Sequence, residues 1–145
     1  MKTVTLWVLI LLLLIGIGLL IKSHGKYERF DSRPQVLYIW KSGDSISGRF
    51  SPNWDSLKER IKNNNLNIKM CDVDVIIEPD LARYEQSKKA YKEVPLVRLI
   101  SSNGNRYDYN IADDYRYYYG GHMSDIGGYL ASNKIYKMIV DKKDA

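Results

Sequence analysis

A chain of 145 residues has room for one domain of about 100 residues and a further short segment. Its net charge of +5 is scattered along the chain and forms no basic run interleaved with aromatics, which argues against nucleic acid as a partner. A single cysteine, Cys71, excludes an internal disulfide, a CxxC pair and a cysteine-based zinc cluster.

The further segment is Val4–Ile21, VTLWVLILLLLIGIGLLI, apolar apart from Thr5 and long enough to cross a bilayer as a helix. It exceeds the roughly 7–15 apolar residues of a cleaved signal peptide, although Ser23 and Gly25 stand where cleavage could occur. Residues 1–22 are therefore expected to be a transmembrane signal-anchor in contact with lipid. Lys2 precedes the span, whereas Lys22, Lys26, Arg29 and Arg33 follow it. That bias favours a cytosolic domain, with a lumenal one as the alternative. The same cations suit an anionic lipid surface. Residues 23–35, polar and carrying Pro34, read as a tether.

Val36-Leu37-Tyr38-Ile39-Trp40 is apolar throughout, as suits a strand buried on both faces. Ser42-Gly43-Asp44-Ser45 supplies a turn in which Asp44 or Ser45 can cap a helix. Phe50, Trp54, Leu57 and Ile61 then recur at helical spacing on one stripe, with Pro52 inside the helix. Asn63-Asn64-Asn65 ends that helix, and Leu66–Val75 is β-rich, so the order strand, helix, strand predicts a βαβ unit.

This arrangement resembles the thioredoxin fold, and most of all the thioredoxin domains of protein disulfide isomerases. Ser51-Pro52-Asn53-Trp54 matches that family's Ala-Pro-x-Trp-like helix segment, and Cys71-Asp72-Val73-Asp74 matches its second strand. Counting back without gaps, Asp44-Ser45-Ile46-Ser47 falls where the family carries its two cysteines. Neither cysteine is present; Gly43 replaces the Trp before the motif, and Tyr38 replaces the strand's buried acid. The resemblance thus implies the fold without the redox chemistry. Members usually begin with an additional strand and helix, for which the tether has no space. The expectation is a minimal thioredoxin-like α/β fold, a mixed sheet of about four strands with flanking helices, over residues 36–133, followed by a tail at 134–145.

Glu78-Pro79-Asp80-Leu81-Ala82-Arg83-Tyr84 opens the next helix, with Pro at its first position and acids in its first turn. Leu81, Tyr84 and Tyr91 are expected on its inner face and Lys88 and Lys89 in solvent. Val94-Pro95 then opens a strand, where a proline is tolerated. The resemblance implies that this proline is cis and that Val94 pairs with an extended client peptide. Asn103-Gly104 marks a hairpin before the returning strand Arg106–Ile111. Ala112–Gly121 is tyrosine-rich, and Tyr119-Gly120-Gly121 resembles the family's loop before its last helix. His122–Leu130 reads as that helix with Ile126 and Leu130 inward; Gly127-Gly128 marks close packing or a weak helix. Ile135–Val140 suits helix or strand equally, and Lys142-Lys143 resembles a di-lysine retrieval signal.

Little here promises catalysis. Cys71 lies within a strand, where a thiol is usually a small buried hydrophobe. His24 falls in the tether and His122 at the last helix, neither placed as a base for a serine nucleophile. Asp72, Asp74, Glu78 and Asp80 lack the glycine and terminal Glu of a calcium loop, so neither a metal nor any other cofactor is expected. The reading that remains is a membrane-anchored, redox-inactive module that binds a protein or extended peptide. Its candidate face comprises Asp44, Ser45, Val94, Pro95, Tyr119, Gly120 and Gly121, with Tyr115, Tyr117 and Tyr118 as added contact area. The alternatives are a residual thiol-disulfide enzyme using Cys71 and a structural membrane protein.

Overall fold

The structure is a computed structural model, and it describes residues 32–117 and 124–145. The expected membrane span, most of the tether, His24, Tyr118–Gly121 and His122 lie outside the described residues. Among the described residues, no helix is long and apolar enough to cross a membrane. Ser32–Ala145 forms one compact unit.

Among the described residues four strands make a single mixed sheet: β1 (Gln35–Trp40), β2 (Lys69–Asp74), β3 (Leu96–Ile100) and β4 (Arg106–Asn110), in the order β2-β1-β3-β4. β1 and β2 run parallel, joined through α1 (Ser45–Asn63); β1 with β3 and β3 with β4 are antiparallel. The uninterrupted apolar run of β1 is explained by its place inside the sheet, where alternate side chains feed two cores. Val36 and Tyr38 join Phe50, Trp54, Leu57 and Ile61 of α1, while Leu37 and Ile39 join Val73, Leu96 and Ala82 on the opposite face. Ala82 belongs to α2 (Pro79–Lys88), which covers that second face.

Several expectations are corrected. α2 buries Ala82 and Glu85, because Leu81 and Tyr84 are only half-covered and the helix ends before Tyr91. The reason is Arg98, a fully buried arginine in the middle of β3 that draws the Glu85 side chain inward. β2 is shorter than Leu66–Val75 and, among the described residues, lies at the sheet edge, so Cys71 is half-buried instead of central. The first part of the tyrosine-rich stretch, to which the sequence assigned no element, is α3 (Ile111–Tyr117), which seats Ile111, Ala112 and Tyr115 in the core.

The last helix, α4 (Ser124–Lys142), resolves the ambiguity of Ile135–Val140 in favour of helix. Residues 134–145 are not a detached tail. Ile135 and Ile139 are fully buried, and the Ser101 hydroxyl donates to the carbonyl of Ala145 at 2.6 Å. Ile126 faces outward, since the buried stripe runs through Ala131, Ile135 and Ile139. Gly128 is the close-packing residue: a Cβ there would stand 2.3 Å from Asn53 Nδ2 and 2.7 Å from Tyr115 Oη, against α1 and α3 and not the sheet.

Candidate functional site

The carboxyl ends of β1 and β2 and the amino end of β3 meet at one rim of the sheet. At that rim the chain leaves β1 through Lys41-Ser42-Gly43 and enters α1. Gly43 has a φ of 81°, a conformation that a side chain disfavours. Asp44 is the N-cap of α1, its carboxylate accepting the Ser47 amide at 2.8 Å. Ser45 is exposed beside it, and Ser47 is fully buried.

Tyr38 explains what holds this turn. Its ring packs among Trp40, Phe50 and Trp54, and its hydroxyl donates to the Ser47 carbonyl at 2.9 Å. Burial raises its pKa well above the ordinary phenol value, so it stays a neutral donor. The Ser47 hydroxyl in turn lies 3.4 Å from the Lys41 amide. Ser47 is therefore a structural residue with no route to a substrate, and Asp44 spends its charge on the helix end.

A second turn is tied to the first. Asp74, at the end of β2, accepts from the Ser42 hydroxyl and, at 3.4 Å, from the Ser42 amide. It also accepts from the Ile76 amide at 2.9 Å. The Ser42 hydroxyl, followed by these amides, lowers the Asp74 pKa. The bonds hold the Val75–Ile77 turn against Lys41–Gly43 and leave Ile76 and Ile77 at 56% and 74% exposure. These two isoleucines were missed by sequence reasoning. The available signal was an apolar pair after the strand's alternation had ended and before Glu78-Pro79.

The third piece is the segment opening β3. The Val94–Pro95 bond is cis. Pro95 is buried and its carbonyl accepts the Ile111 amide at 3.3 Å. On the other side Glu93 is clamped by the Arg116 guanidinium and by Asn110 Nδ2, the latter at 2.8 Å, which together hold its carboxyl below the ordinary range. Val94 is half-buried between these two anchors, and its amide and carbonyl make no hydrogen bond among the described residues. The last pair of the β1–β3 register is Ile39 with Leu96, and extending it aligns Val94 with Lys41.

A parallel β1-α1-β2 unit, an antiparallel β3-β4 hairpin in the order β2-β1-β3-β4 and a cis proline opening β3 beside the amino end of α1 decide the architecture. The fold is thioredoxin-like. No family model matches the sequence, and no curated protein does. Solved structures similar to this thioredoxin-like chain include thioredoxin domains of the protein disulfide isomerase family. They include the zinc-bound form of human ERp44, at 14% identity over 73% of this chain and 27% of that chain, with a TM-score of 0.48. The first thioredoxin domain of mouse protein disulfide-isomerase A4 is 14% identical over 73% of this chain and 65% of its own, with a TM-score of 0.46. The Trx4 domain of ERdj5 is 15% identical over 74% of this chain and 81% of its own, with a TM-score of 0.45. This chain thus spans only about a quarter of the ERp44 chain.

The structure brings Asp44, Ser45, Val94 and Pro95 to one rim; Tyr119, Gly120 and Gly121 lie outside the described residues. Tyr115 is spent on the core at 6% exposure and offers no contact area. Among the described residues no cluster of three or more His, Cys, Asp and Glu could hold a metal ion. Cys71 sits in β2, on the face of the sheet covered by α2, apart from the Asp44–Ser47 turn.

Proposed function

We propose that this chain is a membrane-anchored, redox-inactive thioredoxin-like module that binds a protein segment in extended conformation. The supporting observation is the contrast within the rim. The turn that would carry thiols instead holds a capping aspartate and a buried serine, whereas Val94 next to it, fixed between two anchors, has an amide and carbonyl unused among the described residues. A thiol-disulfide exchange needs a thiolate and a partner thiol, and the chain has one cysteine in all. A peptide needs only an edge on which to add main-chain hydrogen bonds, with side-chain contacts nearby. Lys41, Ile76 and Ile77 supply exposed neighbours, and Tyr119, Gly120 and Gly121 remain part of the proposed face on the resemblance.

The test is binding of a reduced, alkylated unfolded polypeptide to the full chain, followed by fluorescence anisotropy. Val94→Lys is expected to weaken binding at least tenfold with the fold retained by circular dichroism, while Lys137→Ala, remote from the rim, leaves it unchanged. Equal binding by the folded Val94→Lys variant would sink the reading. A scrambled-disulfide turnover assay separates the enzymatic alternative: no turnover is expected, and turnover abolished by Cys71→Ser would instead establish a lone-thiol enzyme.

A further inference from the structure

The two edges of the sheet are unlike. At β4 the Lys89 ammonium donates to the Arg106 carbonyl at 2.8 Å, so a lysine lies across that edge and blocks another strand. At β2, hydrogen bonds to the neighbouring strand run from the Lys69 amide to Pro34 and from the Val75 amide to Trp40. In a parallel ladder the residues facing the neighbour alternate, so Lys69, Cys71, Val73 and Val75 address β1. Met70, Asp72 and Asp74 address the outside, where no strand lies among the described residues.

Backbone accounting then narrows the edge. The Asp74 carbonyl is occupied by the Glu78 amide, and the Ile68 amide by the Leu66 carbonyl. Among the described residues, what is left complete, with both donor and acceptor, is Met70 and Asp72. These two residues flank Cys71 symmetrically. We infer that β2 is the contact surface for a second copy of this chain, pairing antiparallel with itself about a two-fold axis through Cys71.

In that register Met70 of each copy exchanges both backbone hydrogen bonds with Asp72 of the other. The neighbouring registers fail. Shifting one way sets Asp72 against Asp72, like charges directly opposite, and requires the occupied Asp74 carbonyl. Shifting the other way requires the occupied Ile68 amide. Asp72 does not repel the approach in the favoured register, because Trp54 Nε1 donates to its carboxylate and Lys58 Nζ stands 3.8 Å away. The two Cys71 residues become a non-hydrogen-bonded pair with Cα atoms about 4.5 Å apart, near the short limit for a disulfide. Cys71 therefore reports the contact.

The full chain in mild detergent is examined by light scattering across concentration and by copper-phenanthroline oxidation, in which two thiols pass two electrons and two protons to dioxygen. The expected result is a concentration-dependent dimer that becomes covalent through Cys71, with Cys71→Ser still dimeric but not cross-linked. Met70→Pro removes two of the intermolecular hydrogen bonds while sparing those to β1, and is expected to raise the dissociation constant about thirtyfold. Should that variant unfold, amide exchange of the wild type decides: the Met70 and Asp72 amides exchange freely on dilution and become protected on association. A chain monomeric at every concentration, a dimer that does not cross-link through Cys71, or these amides already protected in the monomer by the chain's own residues would each overturn the inference.

Discussion

Arg98 offers the sharpest test of how this fold is held. It is fully buried in β3, yet every nitrogen of its guanidinium is engaged. Nε and Nη2 grip the two Asp108 oxygens at 2.8 and 2.9 Å, Nη1 reaches the Glu85 carbonyl and, at 3.2 Å, its carboxylate, and Nη2 reaches the Lys89 carbonyl at 2.6 Å. Bonds to Asp108 and Glu85 outweigh the burial that opposes charge, and the Arg98 pKa is raised. Arg98→Met keeps much of the volume but leaves the buried Glu85 carboxylate with Arg106 alone, at 3.3 Å, and takes the guanidinium donor from the Lys89 carbonyl. Removing one partner of a buried ion pair costs about 3–5 kcal/mol. A unit of this size has about 6–17 kcal/mol in total. The assay is urea denaturation followed by circular dichroism, where Arg98→Met should lower the midpoint with an unchanged slope. The triple variant Glu85→Gln, Arg98→Met, Asp108→Asn removes the charges together and should be more stable than Arg98→Met alone. An Arg98→Met variant within about 1 kcal/mol of wild type would refute the reasoning.

Three other predictions concern packing and protonation. Gly127→Ala meets only ordinary contacts at 3.7 Å and should gain up to about 1 kcal/mol from helix propensity. Gly128→Ala must displace Asn53 and Tyr115 and should be less stable than Gly127→Ala by about 1 kcal/mol or more in the same denaturation assay. The Asp74 pKa is depressed in the folded state, so its contribution is present above the unfolded value of about 3.9 and is lost as pH falls through the folded value. Asp74→Asn should therefore flatten the acid limb of a melting-temperature profile below about pH 4. Tyr38 and Tyr109 are raised, by burial first and for Tyr109 also by its bond to Asp114, so their stabilisation is complete below about pH 10 and falls away above it. Absorbance titration should show late-ionising phenols that shift to ordinary pH when urea unfolds the chain, and Tyr38→Phe should remove part of that late step.

The rim was legible where local chemistry and chain order sufficed. A cap at Asp44 or Ser45 follows from side chains and their own next turn, with the structure choosing Asp44, and the α1 stripe follows from helical spacing. Val94-Pro95 was legible as a strand opening, but its cis geometry came from the resemblance. The anchors around Val94 were hidden, because Glu93 meets Asn110 and Arg116 across a long stretch of chain. Ile76 and Ile77 were hidden for a similar reason: only the Asp74–Ser42 bonds hold that turn open beside the site.

The sequence by itself determined that a strand–turn–helix–strand unit forms, that no cysteine pair can exist within the chain, and that the turn after β1 carries a cap in place of thiols. These follow from periodicity, composition and bonds between near neighbours, which depend on few residues at a time. Tertiary structure decided that β2 is the outer strand among the described residues, that Glu85 and not Leu81 points inward, and that the last residues are core. Each of these depends on partners far apart in the chain. A buried arginine on β3 can reorder the face of a helix, and a strand's outer hydrogen bonds have meaning only once its neighbours are known.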